Sequence, residues 1–382
     1  MNTKERPNLN GMCYVYYYSK DVLNPRLAAR MMERLNVRSV RSWSHVTWLL
    51  EDAKNVNRPV ADDFHRMYAI LKEAGVTQIV GMSHYWFYPR RLGLEGVESS
   101  AVPPRDLAPG SVYQEFLDLY EQSWQTLVQE FPEVTDWETG NEFNHKEFLR
   151  PIRTEGSDEP KHFTMNERAD ICTDLMFRSA RAIRSVRPEA RIIMPGMAPV
   201  SEHGLGVYVT NIEAEYDGII DTLTRIYDNI RSGDFGSRNS RDFFDALCWH
   251  PYYAAQDESG NWRWKVPDAE WVKINRSVYD VAVQAGDDGV DCYLSEFGFN
   301  DWGNPEDDAN LIPHIREGFR LIREELPFVD AVHAYRLFDS MGYVTDGADH
   351  YAFFSMKNGH FTGKRRAYAL QEQYGGQGSL EE

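Results

Sequence analysis

Two short strings, Trp137-Glu138-Thr139-Gly140-Asn141-Glu142 and Tyr293-Leu294-Ser295-Glu296-Phe297-Gly298, each carry a β-rich apolar run into a glutamate where strand gives way to loop. Two carboxylates brought onto one cleft from separate strand ends meet the needs of glycosidic bond cleavage. One holds a proton for the departing oxygen, and the other stays ionised to attack or stabilise the sugar carbon. A lone glutamate near a strand end is ordinarily a solvated loop residue, so the weight of the reading rests on the elements around the pair.

Those elements form a regular alternation. Short apolar runs fall at 11–19, 39–43, 78–83, 135–140, 191–196, 244–250, 290–295 and 331–337. Amphipathic stretches at helical spacing lie between and after them, at 25–35, 62–74, 112–131, 167–186, 208–231, 269–285, 308–326 and 364–373. Asn166 precedes one helix, and Pro188 and Pro327 follow two others. Eight strands alternating with eight helices predict an α/β chain folded as a single-domain (β/α)8 TIM barrel over residues 1–382. A short polar N-terminal tail is expected at 1–10 and a C-terminal tail at 375–382. An open doubly wound sheet is the runner-up, but no Gly-rich turn follows the first run. Residues 256–265, with a Ser-Gly-Asn turn, read as a hairpin insertion walling the cleft.

In such a barrel, chemistry gathers at the C-terminal ends of the strands. That filter collects Arg41 and Trp43 from strand two, His84 and Trp86 from strand three, and Asn141 and Glu142 from strand four. Strand six adds His250 and Tyr252, strand seven Glu296, and strand eight Tyr335 and Phe338. Trp302, in the loop after strand seven, completes the set of candidate sugar contacts. Glu142 and Glu296 then face each other across the barrel mouth. Arg41 and the Tyr252 hydroxyl are suitable donors to keep Glu296 ionised, and an aromatic-rich site beside an anion favours a protonated Glu142. Asn141 is placed to donate to a sugar 2-hydroxyl. Each auxiliary residue also has a structural reading: Arg41 as a core-rim ion pair, His250 as a strand cap, and His84 as a hydrogen-bonding residue beneath a loop.

With these residues in order, the chain resembles the clan A (β/α)8 retaining glycoside hydrolases, which include cellulases, β-mannanases, β-galactosidases and arabinofuranosidases. Asn141-Glu142 matches the acid/base motif after strand four, and Glu296 the nucleophile after strand seven. Arg41, His84 and His250-Pro251-Tyr252 match further positions on strands two, three and six. The resemblance covers the whole barrel. It implies double-displacement cleavage of β-linked or arabinofuranoside-like oligosaccharides, with Glu296 as nucleophile and Glu142 as acid/base. An endo-acting glycanase and a catalytically silent carbohydrate-binding barrel are the alternatives. Two departures stand out: Phe143 replaces the usual proline, and strand eight reads Ala334-Tyr335-Arg336-Leu337-Phe338-Asp339, leaving Tyr335 or Phe338 to take the place of a tryptophan.

Composition sets the remaining bounds. The chain carries a net charge of −18, which argues against nucleic acid or an anionic membrane as partner and leaves carbohydrate as the expected one. Ten Trp, 21 Tyr and 19 Phe supply flat faces for sugar rings or for core. Cys13, Cys172, Cys248 and Cys292 sit apart inside apolar segments and read as buried free thiols. No zinc or calcium spacing is present, so no metal and no organic cofactor are expected. The polar N-terminus favours a cytoplasmic location, unless a secretory leader has been removed. Oligomeric state is left open.

Overall fold

The computed structural model describes residues 9–15, 25–93, 100–152, 162–198, 217–260, 262–301, 305–338, 350–357 and 360–381. Eight parallel strands close into a barrel. In chain order they are β1 (Gly11–Tyr14), β2 (Ser39–Trp43), β3 (Gln78–Met82), β4 (Asp136–Glu138), β5 (Arg191–Ile193), β6 (Ala246–Trp249), β7 (Asp291–Phe297) and β8 (Val329–Ala334). Each pairs with the next, and β8 pairs with β1 to shut the ring. The longer helices are α1 (Pro25–Leu35), α2 (Arg58–Glu73), α3 (Val112–Glu130), α4 (Met165–Val186), α5 (Ile219–Ser232), α6 (Ala269–Gln284), α7 (Ile312–Glu325) and α8 (Arg365–Tyr374). The (β/α)8 barrel expected from the alternation is the fold observed.

Local chemistry explains the element limits. Thr164 and Glu167 form a reciprocal capping box at the start of α4, and Asp268 accepts from two backbone N–H groups at the start of α6. Gly233, at φ 81°, ends α5 in the left-handed conformation that a side chain resists. The helical stretch expected at 308–326 divides into Pro305–Asn310 and α7, because Pro313 cannot donate to the preceding turn and instead opens a new helix. The segment expected as a C-terminal tail is packed: Leu380 is fully buried, and Glu381 bridges Thr362. The hairpin appears as Ala254–Gln256 paired with Trp262–Trp264.

Helices and strands bury two different surfaces. Between them lies the apolar layer, for example Ala28, Met31, Met32 and Leu35 of α1, each such large side chain stabilising the fold by roughly 1.5–3 kcal/mol. Inside the barrel, alternate strand residues are polar. At its lower end Ser39 Oγ donates to Gln78 Oε1 (2.6 Å) and accepts from His333 Nε2 (2.7 Å). Gln78 Nε2 donates to Asp136 and to the Tyr293 hydroxyl, both at 2.9 Å. One layer higher, the same strand faces present Cys13, Arg41, Glu138 and Cys248, all buried. The four cysteines are buried free thiols. No described helix is long and apolar enough to cross a membrane.

Candidate active site

Arg41 is the hub. Its Cβ lies on the same face of β2 as those of Ser39 and Trp43 and alternates with Val40 and Ser42, which aims the guanidinium into the barrel. Nη1 donates to Glu296 Oε1 (2.6 Å), and Nε and Nη2 donate to Glu138 Oε2 and Oε1 (2.6 and 2.9 Å). Nη2 also donates to Asn141 Oδ1 (2.7 Å). That contact fixes the amide so that Nδ2, the donor end, remains for a substrate hydroxyl. Burial alone would lower the Arg41 pKa, but Glu138 and Glu296 outweigh it and raise it well above the usual value.

β7 delivers Glu296 through an irregularity. Leu294 and Phe297 are three residues apart, yet they pair with Val332 and Ala334, only two apart on β8. The extra residue lets Ser295 and Glu296 both reach the interior instead of pointing to opposite faces. Glu296 Oε2 accepts from the Tyr252 hydroxyl at 3.0 Å. Burial pushes this carboxyl up, but His250, Arg41 and Tyr252 together hold it below the ordinary glutamate value. Ser295 Oγ accepts from His250 Nε2 (3.1 Å) and donates to Glu138 Oε1 (3.2 Å).

Glu142 follows β4 with a φ of 49°, a left-handed conformation that costs a non-glycine residue about 1–2 kcal/mol. Its N–H donates to the Gly196 carbonyl (2.6 Å), which holds the turn. Its Oε1 lies 2.7 Å from His250 Nδ1. Burial lowers the His250 pKa, but Glu296 and Glu142 prevail and raise it. One ligand-type atom from each of Glu142, His250 and Glu296 falls within a 4.8 Å set. Among the described residues this is the one grouping of three His, Cys, Asp or Glu side chains close enough together to hold a metal. With Glu296 already held by Arg41 and Glu142 by His250, it reads as a hydrogen-bonded set, not a ligand set.

Around this core Tyr252, Tyr335 and Tyr351 cluster against Trp43 and Trp264. Tyr335 meets Tyr351 at 5.4 Å between ring centroids, and Trp264 meets Tyr252 at 6.1 Å. The expected residues thus converge for Arg41, Trp43, Asn141, Glu142, His250, Tyr252, Glu296 and Tyr335. His84 stands nearby, buried among Tyr85, Phe143 and Phe148. Desolvation, then neighbouring His145, push its pKa down to about 3, so it is a neutral imidazole. Two expectations are corrected. Trp86 packs into the helix layer against Phe116 and Tyr120, and its indole N–H donates to the Ala101 carbonyl (2.8 Å), leaving no ring face for a sugar. Phe338 lies under the Phe354–Lys357 and His360–Gly363 hairpin, 4.4 Å from Phe361, and not at the mouth. Trp302 lies outside the described residues.

Glu138, Gly196, Ser295 and Tyr351 were not foreseen. A signal existed for Glu138: Asp136 and Glu138 alternate with Trp137, which puts two acids on one strand face. A Cβ at Gly196 would stand 2.5 Å from His250 Nε2 and 2.9 Å from both Glu138 Oε1 and Ser295 Oγ, so only glycine fits there.

No family model matches the sequence, and no curated protein matches it. Solved structures do. The chain is similar to a β-glucosidase from Thermotoga maritima in complex with galacto-hydroximolactam, with 13% identity, TM-score 0.60, and 98% of this chain and 100% of that one covered. It is also similar to the β-glycosidase BGL167 (12%, TM-score 0.63, 98% and 97% covered). A third is a β-glucosidase from Exiguobacterium marinum (12%, TM-score 0.58, 97% and 98% covered). What is shared is the barrel. At such identity the likeness shows the fold, and it extends over nearly the full length of each chain.

Proposed function

We propose that this chain is a retaining glycoside hydrolase acting on β-linked or arabinofuranoside-like sugars, with Glu296 as nucleophile and Glu142 as acid/base. The observation that carries the reading is the convergence of Glu142, His250 and Glu296 donor atoms within 4.8 Å. Carboxyl groups about 5–5.5 Å apart suit a covalent intermediate, whereas inversion needs roughly 6.5–9.5 Å to admit a water. That the structures similar to this chain are β-glucosidases and a β-glycosidase supports the same class.

The chemistry follows from the contacts. Glu296, held ionised by Arg41 and Tyr252, attacks the anomeric carbon while Glu142 gives its proton to the leaving oxygen. Glu142 then takes a proton from water, which displaces Glu296 from the glycosyl ester. Nδ2 of Asn141 donates to the sugar 2-hydroxyl, a bond that strengthens as positive charge develops at the anomeric carbon.

A panel of nitrophenyl hexopyranosides, pentopyranosides and pentofuranosides tests this. The wild type should turn over at least one, and Glu296→Ala should lose that activity by about 10⁴-fold or more. Glu142→Ala should lose far less on substrates with good leaving groups and should recover with azide. Full activity in Glu296→Ala, or equal losses on all leaving groups in Glu142→Ala, would reject the assigned roles.

A further inference from the structure

The third carboxylate of the site, Glu138, has no part in double displacement, yet both reacting groups are tied to it. Glu138 grips Arg41 at two points, and Arg41 in turn holds Glu296. Glu138 also accepts from Ser295 Oγ, which accepts from His250 Nε2, whose Nδ1 meets Glu142. Glu138 is fully buried on a strand, and four elements converge on it. These are Arg41 from β2, the Gly196 N–H (3.3 Å) after β5, Cys248 Sγ (3.9 Å) from β6 and Ser295 from β7. The Cys248 thiol is kept neutral by burial.

We infer that Glu138 is a positioning residue, a common anchor that fixes the nucleophile through Arg41 and the acid/base through Ser295 and His250. The inference rests on the glycosidase reading for its catalytic consequence but not for its structural content. Two-point binding leaves Arg41 one orientation, so Nη1 can only address Glu296. A buried guanidinium facing Glu296 alone would be free to rotate about its stem. The same carboxylate gives the Ser295 hydroxyl a fixed direction, which leaves its lone pair toward Nε2 and thereby sets Nδ1 toward Glu142. The groups facing His250 are Glu142, Glu296 and Arg41, with Tyr252 beside it.

The test is Glu138→Gln, which keeps the shape and removes the charge. Loss of an anion lowers the pKa of every neighbour, so both limbs of the kcat/KM profile should move to lower pH, by about half a unit or more. kcat should fall about 10-fold or more with KM within about twofold, because substrate contacts are untouched. Independently of turnover, the NMR titration midpoint of His250, assigned against His250→Gln, should fall. Ser295→Ala, which breaks the bridge and leaves the charge, should also lower that midpoint, and it decides the matter if Glu138→Gln does not fold. An unchanged His250 midpoint together with unmoved limbs in a folded Glu138→Gln protein overturns the anchor. An unchanged midpoint in Ser295→Ala does the same for the variant pair if only that one folds. If the wild type cleaves no glycoside, the proposed function fails while the His250 titration still judges the anchor.

Discussion

At the scale of single residues, the site is a charge arrangement that water could not hold together. Arg41 and Glu138 are fully buried, and Glu296 is nearly so. A buried ion pair adds little net stability, because desolvation offsets attraction, but removing one partner leaves a stranded charge costing about 3–5 kcal/mol. Such an arrangement is kept for what it aims, which here is the Glu296 carboxylate and the Glu142–His250 contact. Gly196 shows how little room is left. Its missing side chain is the space in which His250, Glu138 and Ser295 meet. Gly196→Ala should therefore push His250 off Glu142. A displacement near 1 Å costs about 100-fold in rate, and overpacking costs about 1–3 kcal/mol of stability. Kinetics and denaturant unfolding on the same preparation check this, and a variant with more than half of wild-type kcat/KM would show that the cluster yields.

At the scale of elements, the end of β8 sends two aromatics in opposite directions. Tyr335 joins Tyr252 and Tyr351 at the mouth, whereas Phe338 packs with Phe354 and Phe361 under a hairpin. Tyr335→Ala should lower kcat/KM roughly 10-fold through lost ring contacts. Phe338→Ala should cost about 3–5 kcal/mol of stability and leave kcat/KM within about twofold. The reverse pattern, read by steady-state kinetics and urea unfolding, would exchange their roles. The sequence could not separate them because both lie just past the strand, where periodicity no longer says which side faces the core. Inside the elements it spoke clearly: α1 and β2 begin and end where their patterns do. The residues that converge were legible because they sit at strand ends, and the barrel rule alone brings them together. Ser295 was hidden by the β7 irregularity, since strict alternation turns it away from the face that holds Glu296. Trp86 was misjudged because a tryptophan just past a strand looks the same whether it turns to the mouth or to the helix layer.

At the scale of the whole molecule, burial opposes the charging of several histidines while the chain as a whole is strongly acidic. His45, His84 and His333 are buried, and desolvation is the first cause that depresses each; His333 is lowered to about 3. A histidine of this kind binds a proton in the unfolded chain before it does so in the fold. Its stabilising contribution is complete above the unfolded pKa of about 6.5 and is lost as pH falls toward the folded value. His250 has the opposite sign: its raised pKa adds stability that is complete below about 6.5 and fades as pH rises through the folded value. Between about pH 6.5 and pH 5 the acid-side loss is therefore carried by the depressed histidines, each steepening the fall by roughly 1.4 kcal/mol per pH unit. His333→Gln keeps a donor for Ser39 Oγ and removes one such proton. The slope of unfolding free energy against pH in that window, measured by urea denaturation, should flatten by about that amount. An unchanged slope would mean that His333 takes up its proton inside the folded barrel, which its burial and the neighbouring Arg41 charge both oppose.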